Sequence, residues 1–393
     1  MEILANSEQW QKIVNLIIKK GPLSRSQIIK TLKISQPSVT RLTEQLINKG
    51  IIVECGVGIS SGGRKPVFLN INPDYSYLFG IELGRAVIKI SLVNLMGEIL
   101  STHQAITNNA WSLNKIFEYI KVNTTMLLKK HKINVKEVLG VGVGVPGPLN
   151  IKQDGTIHLT NFYNVKNIKL KEKLKTLLNL PVELGINANV ATLAESWYGK
   201  GKKHNNFIYI LADDGVGSGM VIDGKLYSGS HKASGVIGHT TIDKNGDKCI
   251  CGNIGCLETM VSTTKILKNI KKHPDFKNEL HLFHNSHNLT LDIVKEALIK
   301  KSKVAKSVIN EMGSSLGIGI ANTINLLDPE AIILGGRISE FSFDLTDPLK
   351  EMIKKKVLEE QSKNIPIYIT TLQDNVVLGA ATLILNSVLN SNN

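Results

Sequence analysis

The sequence predicts an α/β fold in two parts: a short helical segment that ends in a hairpin, and a longer segment made of two similar lobes. Three helical patterns and two strand patterns fill roughly the first 70 residues. Beyond residue 77, runs of β-branched residues bounded by glycine turns alternate with helical patterns, which is typical of α/β domains. The chain of 393 residues is long enough to bury two or three separate cores.

The composition is ordinary for a soluble globular protein, with 42% hydrophobic and 20% charged residues. The sequence shows no apolar run of about 18 residues, and its start, MEILANSEQW, lacks the basic and apolar regions of a signal peptide. We therefore expect no membrane span and a cytoplasmic location. The net charge is +14, and residues 1–75 carry 10 Lys and Arg against 5 Asp and Glu. This excess favours an anionic partner at the front of the chain.

Three helices are predicted in this front segment. The first spans residues 8–20, because its apolar side chains recur at helical spacing and Gly21-Pro22 follows. Ser24 to Gln27 has the form of a capping box and opens the second. Pro37 occupies the first turn of the third, where a missing N–H costs nothing, and Gly50 ends it.

The order of these elements predicts a winged helix-turn-helix. Strand patterns at 51–54 and 67–71 flank GVGISSGGRKP, a glycine-rich basic tip that resembles a wing. Polar residues at the start of the third helix lie off its apolar stripe, where they would face a major groove, and the basic tip would reach phosphates or a minor groove. The alternatives are a helical bundle with a solvated face or a surface for a partner protein. The candidate DNA contacts are Gln36, Ser38, Thr40, Arg41, Arg64 and Lys65.

Three of the four cysteines lie within eight residues, in CICGNIGC at 249–256. In a cytosolic protein such a cluster favours metal binding over disulfides. Cys249, Cys251 and Cys256 supply three soft ligands, whereas a structural zinc site usually has four, so the fourth must come from elsewhere. The remaining cysteine, Cys55, is predicted to be a small buried apolar residue.

The rest of the chain repeats one pattern. YLFGIELG and VIKISLVNL are predicted to be adjacent strands, and VLGVGVGVPGPLN a buried strand that runs into a loop. FIYILADDGVGSGMVIDGKLYSG returns to the sequence of strand, glycine turn and strand. This internal similarity predicts two similar α/β lobes that face a cleft.

The same segments carry a resemblance to the ROK family, which contains repressors and sugar kinases. GVGVGVPGPLN, NLPVELGINANVATLAESWYGKG, GSHKASGVIGHTTI with CICGNIGCLET, and INLLDPEAIILGG resemble the family's motifs in order, over essentially the full chain. The resemblance implies a two-lobed fold of the actin-like, ribonuclease-H-like kind behind the winged helix of the family's repressors. The expected domains are residues 1–70, residues 71–188 with 376–393, and residues 189–375.

The resemblance also implies site residues. His239 matches the family's zinc-ligand histidine, so that His239, Cys249, Cys251 and Cys256 would form a closed structural zinc site. The expected contacts to a sugar are Gly147, Asn187, His239 and Glu258. Two apolar residues, Ile186 and Val236, stand where the family has polar contacts, so the identity of a sugar ligand does not follow.

The residues that the family's kinases need are altered at three places. Glu82-Leu-Gly84-Arg85 replaces the Asp-Ile-Gly-Gly-Thr phosphate turn, and Asp214-Gly215 replaces Thr-Gly, which puts a carboxylate where ATP would lie. Asn187 replaces the general base, and an amide cannot accept a proton from a sugar hydroxyl near neutral pH. We therefore expect no enzymatic activity.

These inferences predict a transcriptional regulator, most simply a repressor of carbohydrate-use genes. Xylose-type repressors are the nearest resemblance. We expect a homodimer that binds two operator half-sites, with a sugar-like inducer. Two alternatives stay open: a sugar kinase with a fused DNA-binding domain, and a regulator controlled by a protein partner in which the sugar site is vestigial.

Overall fold

A computed structural model describes residues 8–58, 65–84, 87–107, 111–147, 149–151, 157–159, 168–284, 288–360 and 362–389. Two of the predicted functional residues, Arg64 and Arg85, lie outside these ranges. The chain divides into two compact units. The first contains the described residues up to Pro146, from Ile151 to Ile186, and from Asp374 onward, and the second contains Gly147–Asn150 and Asn187–Gln373.

The front of the chain is a three-helix segment with a small sheet. Its elements are α1 (Glu8–Lys20), β1 (Leu23–Ser24), α2 (Arg25–Leu32), α3 (Gln36–Asn48), β2 (Ile52–Val57) and β3 (Val67–Ile71). The predicted capping box is confirmed, since the Ser24 side chain accepts from the backbone N–H of Gln27 and the Gln27 side chain accepts from that of Ser24. Pro37 lies in the first turn of α3, as predicted.

Two features of this segment differ from the sequence prediction. The short strand β1 pairs with β3, so β3 of the hairpin is the central strand of a three-stranded sheet. The two residues of β1 are too few to show an alternating pattern. The prediction that Cys55 is buried is wrong, because its side chain is exposed. Cys55 and Gly56 form a bulge between Glu54 and Val57, on a strand that is exposed from Val53 onward.

The chain from β4 to the end of β10 forms most of the rest of the first unit, although Leu149 and Asn150 of β8 belong to the second unit and α12 to the first. Its elements are β4 (Tyr77–Leu83), β5 (Val87–Asn94), β6 (Ile99–Ile106), α4 (Leu113–His131), β7 (Val138–Val145), the paired β8 (Leu149–Ile151) and β9 (Ile157–Leu159), α5 (Leu170–Leu178) and β10 (Val182–Ile186).

The second unit and the final helix complete the chain. The elements are α6 (Asn187–Tyr198), β11 (Phe207–Ala212), β12 (Val216–Ile222), β13 (Lys225–Tyr227), α7 (Glu258–Val261), α8 (Thr263–Lys272), α9 (Leu291–Ile299), α10 (Lys303–Leu327), β14 (Ala331–Gly335), α11 (Ser342–Lys356), β15 (Ile367–Ile369) and α12 (Asn375–Leu389). Within the described part of the chain, no helix is both long and apolar enough to cross a bilayer.

The two large sheets have the same topology, which confirms the predicted repeat. One sheet has the strand order β10-β7-β4-β5-β6 and the other β13-β12-β11-β14-β15. In each, the first strand of the lobe pairs antiparallel with the next strand of a meander and parallel with a later strand. Parallel strands need a crossover connection, and helices supply it in both lobes.

Glycines bring the last helix close to the first of these sheets. α12 is buried over most of its surface and packs on β4 and β7. A Cβ atom at Gly80 would overlap the Val377 carbonyl, and one at Gly142 would overlap the Ala380 carbonyl. The glycines that the sequence places in these buried strands therefore permit the helix backbone to lie directly on the sheet.

Candidate functional sites

The start of α3 presents polar side chains while its other face is buried. Gln36 and Arg41 are exposed, and Ser38 and Thr40 are half-buried. Val39, Leu42 and Leu46 lie in the core on the opposite side. The Arg41 guanidinium makes no ion pair or hydrogen bond with any residue that the structure describes. A charged donor at the start of this helix is therefore free to contact an outside partner.

Arg25 links three elements of this segment, and sequence reasoning missed it. Its Nε donates to the Thr43 hydroxyl at 3.0 Å, and its terminal nitrogens lie 3.4 Å from a carboxylate oxygen of Glu54. The Thr43 hydroxyl in turn donates to the carbonyl of Thr40 at 3.0 Å. Arg25 begins α2, Thr43 lies on α3 and Glu54 on β2, so the arginine joins both helices of the motif to the hairpin. In the sequence, the one sign of this linking role is that an arginine directly follows the helix cap Ser24.

The basic tip of the hairpin is described in part. Lys65 is exposed directly before β3. β2 and β3 pair in antiparallel register from Ile52 with Ile71 to Val57 with Val67, so Lys65 lies at the end of the hairpin opposite Ile52 and Ile71. An exposed lysine can contact an anionic partner.

Four ligand atoms come together in the second unit. One atom each from His239, Cys249, Cys251 and Cys256 lies within 4.8 Å of the others. Cys249 Sγ is 3.5 Å from His239 Nδ1, and Cys251 Sγ is 3.7 Å from Cys256 Sγ. A set of one imidazole and three thiols so close together can bind a soft or borderline metal ion.

Backbone hydrogen bonds hold the cysteine loop in shape. The N–H of Cys249 donates to the Asn253 carbonyl at 2.7 Å, and that of Gly252 donates to the Cys249 carbonyl at 3.0 Å. Gly252 and Gly255 both have positive φ values, of +99° and +69°. The glycines therefore supply the turns that fold three cysteines toward one point.

The thiols differ in acidity because their surroundings differ. Burial raises the pKa of Cys256 to about 12, and the neighbouring thiols add to the effect. The backbone N–H of Asn253 lowers the pKa of Cys251. A bound cation would favour the thiolate form of all three, since metal ligation requires deprotonated sulfur.

The residues expected to contact a sugar all belong to the second unit, with Gly147 at its first described position. Glu258 is only 8% exposed, and its carboxylate accepts a hydrogen bond of 2.9 Å from the N–H of Val216. Asn187 begins α6, and its side-chain oxygen is buried without a hydrogen-bond partner among the described residues. Such an acceptor is ready for a donor from a ligand, because an unpaired buried polar atom is costly.

The turn between β11 and β12 holds two carboxylates. Asp214 accepts a hydrogen bond of 2.5 Å from the Thr263 hydroxyl, and Asp213 accepts one of 2.6 Å from the backbone N–H of Arg337. Sequence reasoning singled out Asp214 but not Asp213, whose partner lies 124 residues away. These bonds tie the turn to the start of α8 and to the segment that follows β14.

The segment Glu82-Leu-Gly84, singled out in the sequence, lies at the end of β4. Glu82 is half-buried and lies opposite Lys89 in the register of β4 and β5. The Lys89 ammonium is 2.6 Å from the Asp374 carboxylate. Charged side chains of β4, of β5 and of the residue before α12 therefore occur together in this part of the first unit.

Comparison with known proteins agrees with this geometry. Residues 78–387 match the model of the ROK family, and residues 11–53 match a winged helix-turn-helix DNA-binding model. The xylose repressor of Caldicellulosiruptor bescii is 33% identical over 380 residues, which cover 96% of this chain and 95% of that protein.

Among solved structures, one similar protein matches nearly the whole chain and another matches about four-fifths of it. A ROK family transcriptional regulator, a homologue of the Escherichia coli protein MLC, is 26% identical with a TM-score of 0.79, and the match covers 96% of this chain and 95% of that one. A ROK family glucokinase from Streptomyces griseus, solved with glucose and AMPPNP, is 25% identical with a TM-score of 0.70. That match covers 78% of this chain and 99% of the glucokinase. The chain therefore belongs to the ROK family and carries a winged helix-turn-helix at its front.

Proposed function

We propose that the protein is a DNA-binding transcriptional repressor of carbohydrate-use genes that responds to a xylose-like sugar. The observation that carries this proposal is the winged helix-turn-helix at the front of a chain similar to a xylose repressor over nearly its whole length. Its second helix carries Arg41, which has no partner among the described residues. The protein would bind chromosomal DNA in the cytoplasm.

DNA contact is assigned to the start of α3 and to the hairpin tip. Gln36, Ser38, Thr40 and Arg41 would meet base edges in the major groove, and Arg64 and Lys65 would meet phosphates or the minor groove. Residues 1–70 form the DNA-binding domain in this assignment. A homodimer would place two such domains on half-sites about one helical turn, or 34–36 Å, apart.

Ligand binding is assigned to the second unit. Gly147, Asn187, His239 and Glu258 are the proposed contacts, with Asn187 Oδ1 as an acceptor and the Glu258 carboxylate as a second one. The ligand would release DNA only to the extent that it binds the DNA-free conformation more tightly than the DNA-bound one. Val236 is apolar where the family has a polar contact, which favours a sugar with fewer hydroxyls, such as a pentose.

The metal is proposed to be a structural zinc ion. With a Zn–S distance of about 2.3 Å and a Zn–N distance of about 2.0–2.1 Å, a tetrahedron has edges of roughly 3.8 Å between sulfurs and 3.6 Å between sulfur and nitrogen. The separations of 3.7 Å and 3.5 Å in the cluster agree with these edges. Four protein ligands leave no open position, so the ion would hold the loop that leads to Glu258 and would not act on a substrate.

Phosphoryl transfer is not part of the proposed function. Asn187 offers no basic group near neutral pH, and general-base assistance is worth about 10²–10⁴-fold. Asp214, held by Thr263, adds a carboxylate that would repel nucleotide phosphates. If the ligand site is instead vestigial, a protein partner would control DNA binding.

A titration of the purified full-length protein tests the proposal. A duplex from its own promoter region should bind more tightly than a scrambled duplex, and xylose should weaken the specific complex more than the scrambled one. Specific binding that ignores xylose and glucose would contradict the sugar response and favour control by a protein partner. A complex with no preference for the promoter duplex would contradict the repressor function itself.

A further inference from the structure

A groove in the second unit shares no lining residue with the proposed sugar contacts. It encloses about 360 Å³, at the lower end of the roughly 300–1,000 Å³ typical of small-molecule sites. Its walls are the arm of residues 243–247 that precedes the cysteine loop, one face of α8 and one face of α10. We call it the α8–α10 groove, and the residues that define it for this argument are Asp243, Asp247, Met260, Asn269, Glu311 and Met312.

Helical spacing aims a consistent set of side chains into the groove. On α8, Lys265, Asn269 and Lys272 recur at i, i+4 and i+7, so they share one face. On α10, Glu311 and Ser315 share a face in the same way. Asn269 and Ser315 are half-buried, and neither side chain has a hydrogen-bond partner among the residues that the structure describes. Two half-buried polar groups without partners are available to a ligand.

The charges of the groove select a class of ligand. Lys265 forms an ion pair with Asp247, which neutralises both. Lys272 remains on one side, and Asp243 and Glu311 remain on the others. The two carboxylates would repel an anion, and the lysine would repel a cation. Hydroxyl groups can instead donate to the carboxylates and accept from the ammonium.

The floor of the groove suits such a ligand. Val308 and Met312 are buried, and Met260 is half-buried, so the polar walls enclose an apolar base. We propose that the α8–α10 groove is a second binding site, for a neutral polyhydroxyl compound the size of a monosaccharide. The inference does not depend on DNA binding or on the first ligand site.

Methionine methyl groups provide a local readout. In full-length protein labelled with ¹³C-methyl methionine, xylose or glucose should shift the methyl signals of Met260 and Met312, which line the groove, but not those of Met126 and Met352. The two groove signals are assigned with Met260→Leu and Met312→Leu. Glucose 6-phosphate, which adds negative charge, should bind at least several-fold more weakly than glucose.

Three variants separate groove binding from an indirect effect. Asn269→Leu should abolish the shifts. Asn278→Leu should leave them intact, because Asn278 follows α8 in the chain and lies outside the groove. Asn187→Ala in the first ligand site should also leave them intact. The proposal is overturned if neither sugar shifts the two methyl signals, if Asn269→Leu and Asn278→Leu behave alike, if Asn187→Ala abolishes the shifts, or if the phosphate ester binds more tightly. Promoter binding measured in parallel would stand or fall independently of each of these results.

Discussion

Arg25 Nε lies 3.0 Å from the hydroxyl of Thr43, a side chain with no exposed surface. This bond joins the two helices of the helix-turn-helix motif, and Glu54 extends it to the hairpin. The geometry of the DNA-binding surface therefore depends on a residue that need not touch DNA.

Thr43→Val keeps the shape of the side chain but removes the acceptor. We expect the free energy of unfolding of this segment to fall by about 0.5–1.5 kcal/mol, the usual net value of a hydrogen bond. Promoter affinity should fall as well, because α3 loses a restraint. Thr31→Val on the exposed face of α2 is the matched control. Equal promoter affinity for the two variants would show that the bond does not position the recognition helix.

The metal cluster predicts a stoichiometry. Native protein should contain one zinc ion per chain, and Cys251→Ser should lose it, because three ligands hold zinc less tightly than four. The variant should melt several degrees lower, since each kcal/mol shifts the Tm of a unit of this size by about 2–4 °C. Cys55→Ser, at an exposed cysteine outside the cluster, should keep both zinc and Tm. Metal analysis that finds no zinc in the native protein would refute the assignment.

The altered kinase residues predict that no sugar is phosphorylated. Neither xylose nor glucose should yield a phosphate ester with ATP. Asn187→Asp alone should not restore activity, because the Asp214 carboxylate remains, bound to Thr263. The double variant Asn187→Asp, Asp214→Thr should also stay inactive, because the Glu82-Leu-Gly84-Arg85 turn is unchanged. ATP-dependent phosphorylation by the unaltered protein, lost in Asn187→Ala, would mean that the chain is an enzyme.

Glu195 predicts a dependence of stability on pH. Its side chain is fully buried, and burial raises its pKa, although Thr370 and the N–H of Lys200 donate to it. Because the folded pKa lies above the unfolded value of about 4.3, the contribution of Glu195 to stability is complete below that pH. It is lost as the pH rises through the raised folded value.

Glu195→Gln removes the ionisation, while the amide oxygen can accept from the N–H of Lys200 and the amide nitrogen can donate to the Thr370 hydroxyl. The Tm of the unaltered protein should therefore fall relative to that of Glu195→Gln as the pH rises above about 4.3. Glu351→Gln is the control, because Lys355 lowers the pKa of this exposed carboxylate and the trend should not appear. Parallel pH profiles for the unaltered protein and Glu195→Gln would contradict the expected sign.

Local signals in the sequence predicted much of this structure. The capping box of Ser24 and Gln27 and the position of Pro37 involve neighbours in the chain, so they are legible from spacing. The repeated lobe topology follows from strand patterns and glycine turns.

Contacts between distant residues could not be predicted in this way. Arg25 and Thr43 are 18 residues apart, and Asp213 and Arg337 are 124 apart. The usual burial of cysteine predicts a core position for Cys55, but its exposure follows from the bulge at Glu54 to Val57, which depends on the partner strand β3. The prediction of His239 as the fourth ligand rests on a resemblance to a family and not on its spacing from the cysteines.

The central claim is that the first 70 residues read DNA. The promoter duplex and a scrambled duplex should each be titrated, at several salt concentrations, with the unaltered protein, Arg41→Ala and Lys65→Ala. The control is Lys173→Ala, at an exposed residue of α5. Arg41→Ala should lose about 1–3 kcal/mol of preference for the promoter, as expected for a lost base contact. Lys65→Ala should keep the preference, with a salt slope smaller by about one. If the unaltered protein shows no preference for the promoter duplex, or if all three variants bind as it does, the claim is contradicted.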